Sequence, residues 1–257
     1  MSRLLTLPQI MLAPNGARRT KDDHAALPVT ILEVISAAKY AFDAGAHALH
    51  AHVRDAKQMH VLDAGQYREL IAEMARMLPD MPVQITTETA GLYDAAAQRA
   101  LVEQVMPEGV SVALREMWPV PGADAQASRF YHWAQEAGIA VQHILYSPQD
   151  VERLARKVAQ GDIPAPAQCL FVLGSYTPPT RGTPAMLHGF LQAFAQLPAG
   201  SDWAACAFGE DERDCLLAAH AQGGKMRIGF ENNLTGADGK PAVDNAAQVR
   251  DLVQHLG

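Results

Sequence analysis

His50 and His52 stand one residue apart in the run Ala48-Leu-His-Ala-His-Val-Arg-Asp55. If that run is extended, side chains two apart leave the same face. His50, His52 and Arg54 then share one side, and Leu49, Ala51 and Val53 the other. Two imidazoles about 6–7 Å apart on one strand serve either as paired metal ligands or as buried histidines hydrogen-bonded to their neighbours. A second block bears on the choice. In Met226-Arg-Ile-Gly-Phe-Glu-Asn232, the apolar Met226, Ile228 and Phe230 alternate with Arg227, Gly229 and Glu231, so a cation and a carboxylate share a face. Two histidines and a glutamate with open positions make a catalytic zinc set, while the same donors around an octahedral ion suit non-haem iron. The plain alternative for Glu231 is a capping or ion-paired carboxylate.

For these blocks to meet, the elements carrying them must lie close in space. Short β-type runs at 9–14, 48–54, 83–88, 109–115, 139–146, 168–174, 202–209 and 225–231 alternate with helical patterns from end to end. The helix signals are local. Thr30 precedes a periodic run at 33–44 that stops at Gly45, and Ser147-Pro148 precedes another at 149–160 that stops at Gly161. Strand–helix alternation implies parallel strands with right-handed crossovers. Eight units in 257 residues match a (βα)8 TIM barrel, an α/β fold in a single domain over residues 1–257. No Ser/Gly-rich linker divides the chain, and no GxGxxG follows the first strand, as a doubly wound dinucleotide fold would require. In a closed barrel the second and eighth strands flank the first, so Glu231 can approach His50 and His52.

Composition excludes several classes of partner. A formal charge of -7 without any Lys/Arg run argues against nucleic acid. No apolar run reaches the ~18 residues that cross a bilayer, so no membrane association is expected. An early Arg3 and apolar stretch suggest a signal peptide, but Pro8 and Pro14 interrupt it, and it reads equally as a first strand. Cys169, Cys206 and Cys215 form no CxxC pair and suggest buried thiols in a reducing cytoplasm. His143, Trp203 and Phe208 are expected to be packed core residues.

Several blocks resemble the β-keto acid cleavage enzymes. They are Ala13-Pro14-Asn15-Gly16-Ala17 with Thr20-Lys21, Leu27-Pro28-Val29-Thr30, Ala44-Gly45-Ala46, the His50 to Asp55 block, Phe171-Val-Leu-Gly174 and Gly229-Phe-Glu-Asn-Asn233. The likeness runs in order over nearly the whole chain. It implies a barrel that uses zinc, or another divalent metal, to convert a β-keto acid and acetyl-CoA to acetoacetate and a new acyl-CoA by a retro-Claisen step. His50, His52 and Glu231 match the family's metal ligands, Arg227 its catalytic arginine and Thr86 a position beside the substrate. Asn15, in the first block, is a further candidate substrate contact. Relatives suggest a homo-oligomer, such as a homotetramer.

The chain also departs from that pattern. The acid that usually follows the ligand glutamate is Asn232, and an amide cannot act as a base. Glu88, where such enzymes usually show glycine, is the first candidate to replace it, with Glu116 and Glu210 behind; each follows an expected strand. Arg18 stands where the amine-selecting relatives carry glutamate, and Arg115 closes the fourth strand. Both are candidate substrate contacts, suggesting an anionic or neutral distal group rather than an ammonium. Arg181, in the loop after the sixth strand, could meet a phosphate or carboxylate. Two other readings stay open: a metal-dependent aldolase or hydrolase without coenzyme A, and a non-catalytic metal-binding barrel.

Overall fold

A computed structural model describes residues 2–119 and 124–256. Eight parallel strands close into a barrel: β1 (Ile10–Leu12), β2 (Ala48–Ala51), β3 (Val83–Thr86), β4 (Gly109–Ala113), β5 (Ala140–Leu145), β6 (Gln168–Leu173), β7 (Asp202–Ala207) and β8 (Lys225–Ile228). β1 pairs with β2 through Leu12 and Leu49 and with β8 through Leu12 and Ile228, which closes the ring. The blocks bearing His50 and Glu231 therefore stand on either side of one strand. A small antiparallel hairpin, Ser175–Tyr176 against Pro179–Thr180, follows β6.

The helices begin where the local chemistry says they should. In α1 (Ile31–Asp43), Thr30 accepts the Glu33 N–H while Glu33 reaches back to the Thr30 N–H, a reciprocal cap that satisfies two otherwise orphaned donors. The helix at Pro148–Ala159 starts with Pro in its first turn and Ser147 accepting the Asp150 N–H. The outward strand residues Leu49, Ala51 and Val53 join the main core between barrel and helices. Leu4, Met11, Ala48 and Ala140 form a separate cluster, and Ala113, Ile144, Leu170, Val172, Ala204, Cys206 and Phe208 another. Trp203 and Phe208 are buried, as is His143, whose ring packs 5.2 Å from that of Tyr131. No helix among the described residues is long and apolar enough to cross a membrane.

Each strand stops one to three residues before the alternating pattern does. Gly229 makes the bend after β8. Its φ is +141°, and a Cβ there would collide with the Ala13 carbonyl oxygen and lie 2.9 Å from Asn245 Oδ1. The Glu231 N–H then donates to that same Ala13 carbonyl. Gly229→Ala is expected to cost about 2–3 kcal/mol of stability, as strained backbone and clash together do. Urea denaturation checks this, and an unchanged midpoint would contradict the described bend.

Candidate metal centre and the cavity above it

His50 and His52 turn their Nε2 atoms toward each other at 3.2 Å, and Glu231 Oε2 lies 3.4 Å from the first and 3.5 Å from the second. All three residues are buried, and they are the group of potential ligands found close together among the described residues. Burial pushes His50 down to about 4 and His52 to about 3, against the pull of Glu231, so both rings are neutral at pH 7. Burial alone would raise the Glu231 carboxyl, but Arg227, His50 and His52 outweigh it and hold it well below the usual carboxylate range. Two neutral imidazoles and an ionised carboxylate thus face one another, and Glu231 Oε2 has no hydrogen-bond partner among the described residues. The spacing suits a cation: tetrahedral bonds of about 2.0–2.1 Å separate ligand atoms by about 3.3–3.4 Å. A compact octahedral ion at similar bond lengths would draw them to about 2.9 Å.

The surrounding chain aims the three donors. Arg227 Nη2 donates to Glu231 Oε1 at 3.0 Å, and the Tyr176 hydroxyl donates to the Glu231 main-chain carbonyl. Gly16, at φ +64°, leaves room for the Glu231 side chain, since a Cβ there would sit 2.6 Å from its Cγ. Arg54, expected to share the histidines' face, instead donates to the carbonyls of Gly16, Arg19 and Gln58. β2 has already ended at Ala51, and the side chain acts as a clamp between two loops. Asn15 also differs from expectation. It is fully buried, its Nδ2 donates to the Pro28 and His52 carbonyls, and its Oδ1 accepts the His52 N–H. Its polar groups are spent on backbone, so it holds His52 and does not line the cavity where substrate would lie.

That cavity, of about 270 Å³, opens over the donors and is lined by His50, Glu231 and Arg227 together with Thr86, Glu88, Arg18, Arg115 and Glu116. The Glu88 side chain is 20 % exposed, with Arg18 Nε at 3.9 Å. Burial, with Glu231 and Glu116 nearby, pushes its carboxyl up to about 7, against Arg18 and Arg227. Thr86 Oγ1 accepts the Glu88 N–H at 3.0 Å. Arg115 lies 3.6 Å over the Tyr146 ring. Arg227 is buried, and its Nε and Nη1 find no acceptor among the described residues.

Glu116 reaches the cavity wall, but its carboxylate already accepts from the Thr89 N–H and hydroxyl and from Gln98 Nε2. That makes it an anchor for the loop after β3. Glu210 is not in the cavity; it pairs with Arg181, which also binds Asp211. The ion pairs explain both side chains without a ligand. Asn232 lines the cavity, and its Oδ1 lies 3.5 Å from Arg227 Nη2. The sequence reading singles out neither Gln84, whose Oε1 lies 2.8 Å from His50 Nδ1, nor Tyr146 on the cavity wall, while Tyr176, also on that wall, lies in the loop after β6 that it expects on the substrate side. The signal was available for Gln84, since Gln84, Thr86 and Glu88 alternate on one face.

Comparison with known proteins agrees with the barrel fold. A solved structure of ObcA superposes with a TM-score of 0.70 at 14 % identity, over 90 % of this chain and 62 % of that one, so this chain spans less than two-thirds of the ObcA chain. A type I 3-dehydroquinate dehydratase from Clostridium difficile superposes at 0.60 with 12 % identity, over 96 % of this chain and 92 % of that one. At such identities the likeness concerns the fold alone. By sequence, the 3-keto-5-aminohexanoate cleavage enzyme of Acetoanaerobium sticklandii is 24 % identical over 93 % of this chain and 88 % of the relative. The 3-oxoadipate:acetyl-CoA acetyltransferase of Cupriavidus necator is 23 % identical over 96 % and 89 %. The sequence model of one family, the beta-keto acid cleavage enzymes, matches residues 9–257, and this chain belongs to that family.

Proposed function

We propose that the protein cleaves a β-keto acid with acetyl-CoA as co-substrate, releasing acetoacetate and a new acyl-CoA, at a zinc centre held by His50, His52 and Glu231. The observation that carries this reading is the triangle of bare donors, with edges of 3.2, 3.4 and 3.5 Å, beneath an open cavity. Those edges favour a tetrahedral ion with short bonds, and among common metals zinc prefers that arrangement with nitrogen and oxygen donors. When bound, the ion supplies Lewis acidity, holding negative charge on a substrate oxygen.

The chain's own residues supply the rest. The unpartnered Nε and Nη1 of Arg227 are fixed, buried donors for a substrate oxygen that gains charge, as preorganised electrostatic stabilisation requires. Asn232 cannot take the proton from the carbon between the two carbonyls, so that task passes to Glu88. Its carboxyl, poised near 7, is on the wall of the same cavity as His50 and Glu231. Thr86, whose oxygen already accepts the Glu88 N–H, keeps its hydroxyl proton for a substrate acceptor. Arg18 and Arg115 on the cavity wall favour an anionic or neutral distal group over an ammonium. The buried free thiols of Cys169, Cys206 and Cys215 are consistent with the cytoplasm. The exposed Leu32, Tyr40 and Val243 are apolar side chains that a homo-oligomer could cover.

Metal analysis of the purified protein should find a single divalent ion per chain, and His50→Ala or Glu231→Gln should remove it while the circular dichroism spectrum is kept. Metal content unchanged in both variants would overturn the centre. Incubation with acetyl-CoA and a panel of β-keto acids should yield acetoacetate, with neutral or dicarboxylic members preferred over amino-substituted ones. Turnover without acetyl-CoA would point instead to an aldolase or hydrolase.

A base must be ionised to accept a proton, and the Glu88 carboxyl is raised to about 7. kcat/KM should therefore fall as pH drops below that value and rise to a plateau above it. Glu88→Gln should lower kcat by about 10²–10⁴-fold and abolish that rise, with metal content unchanged. A variant retaining both rate and profile would remove Glu88 from the role.

A further inference from the structure

The imidazole of a metal-ligating histidine has two nitrogens, and the partner of one decides what the other can do. His50 Nδ1 lies 2.8 Å from Gln84 Oε1, Gln84 Nε2 donates to Gln142 Oε1 at 3.1 Å, and Gln142 Nε2 donates to the Cys169 main-chain carbonyl at 3.4 Å. Gln84 and Gln142 are both buried, at 2 % and 1 % exposure. They stand on β3 and β5, alternate strands whose inward side chains share one layer of a closed barrel. His50 and Gln84 are direct register partners on β2 and β3.

An amide can turn either way, so each glutamine alone leaves the direction of the chain of bonds open. The last member does not. A peptide carbonyl only accepts, so Gln142 must present its NH2 to Cys169 and its oxygen to Gln84. Gln84 must then present its NH2 to Gln142 and its oxygen to His50. An oxygen facing Nδ1 requires that nitrogen to carry a proton, which leaves Nε2 as the nitrogen whose lone pair a cation would take. That lone pair points at His52 Nε2 and Glu231 Oε2. The opposite polarity would place a proton on Nε2, where it would bond to the carboxylate and close the space between the donors.

We propose that Gln84 and Gln142 form a polarity-setting relay, anchored on the Cys169 carbonyl, that fixes His50 in its Nδ1–H tautomer and keeps its Nε2 lone pair available to a cation. Both are positioning residues acting through His50, and the inference rests on the metal-centre reading above. The relay is uncharged throughout. A carboxylate in place of the Gln84 amide would raise the basicity of His50, whereas the amide orients the ring without adding a second negative charge beside Glu231.

The test has two arms. Nitrogen-15 NMR of the metal-free protein with labelled histidine should report His50 as the Nδ1–H tautomer, and as a mixture in Gln142→Met, where Gln84 is free to turn. Titration of the metal-free protein with zinc, or with cobalt(II) read by its visible spectrum, should show affinity falling about 10–100-fold in Gln84→Met. Gln84→Glu, which keeps an acceptor facing Nδ1, should restore most of it. Thermal melts of each variant separate loss of fold from loss of binding. Finding His50 as the Nε2–H tautomer, or wild-type affinity in Gln84→Met, would overturn the relay. If the wild-type protein takes up neither ion, the metal centre itself fails, and the tautomer arm still decides the direction of the relay.

Discussion

A carboxylate and two imidazoles that converge in a buried space leave a negative charge among electron-rich groups unless something positive lies nearby. The rest of the site follows from that constraint. Arg227 answers part of it, since its guanidinium holds Glu231 ionised from the side away from the histidines. Arg227 engages Oε1, however, and Oε2 is left facing the rings without a partner. A charged oxygen buried in this way is expensive to leave unmatched. A cation at the centre of the triangle removes that cost, and a protein that kept the arrangement only for packing would gain by placing a proton or a donor there.

Barrel closure makes the convergence possible. β8 and β2 are nearly as far apart in sequence as two strands of this chain can be, yet each pairs with β1. The register of those pairings sets the height of Glu231 relative to His50. Two glycines then allow the final approach. Gly229 turns the chain inward after β8, and Gly16 leaves the space through which the Glu231 side chain passes. Neither role depends on the chemistry of a side chain, and both are lost if one carbon atom is added.

The convergence of His50, His52 and Glu231 was legible in the sequence because strand alternation is a strong geometric rule: His50 and His52 on one face, and Arg227 with Glu231 on another, have to point somewhere together. The (βα)8 ring and the helix caps at Thr30 and Ser147 were legible for similarly local reasons. What sequence could not supply was competition among polar groups. Asn15 sits in a block shared with the family and was expected to meet substrate, yet neighbouring main-chain groups claim its whole amide. Glu210 and Arg181 neutralise each other, and Glu116 is saturated by Thr89 and Gln98. Such pairings depend on loops brought together in three dimensions, and no spacing rule anticipates them. Gln84 is a different case, since its alternation with Thr86 and Glu88 was visible, but a neutral amide attracts less notice than a charge.

The replacement of an acid by Asn232 is better understood as a redistribution of charge than as a loss. An acid at 232 would stand beside Arg227 and compete with Glu231 for the same guanidinium. With an amide there, Arg227 remains committed to Glu231, and its Nε and Nη1 have no partner among the described residues. A second carboxyl lines the cavity from another strand end, at Glu88, where burial and the neighbouring carboxylates make it a weaker acid while Arg18 partly offsets them. A carboxyl so poised can accept a proton near neutral pH and release it again. An acid held tightly by Arg227 would be pulled well below that range and would be a poorer base for the same step.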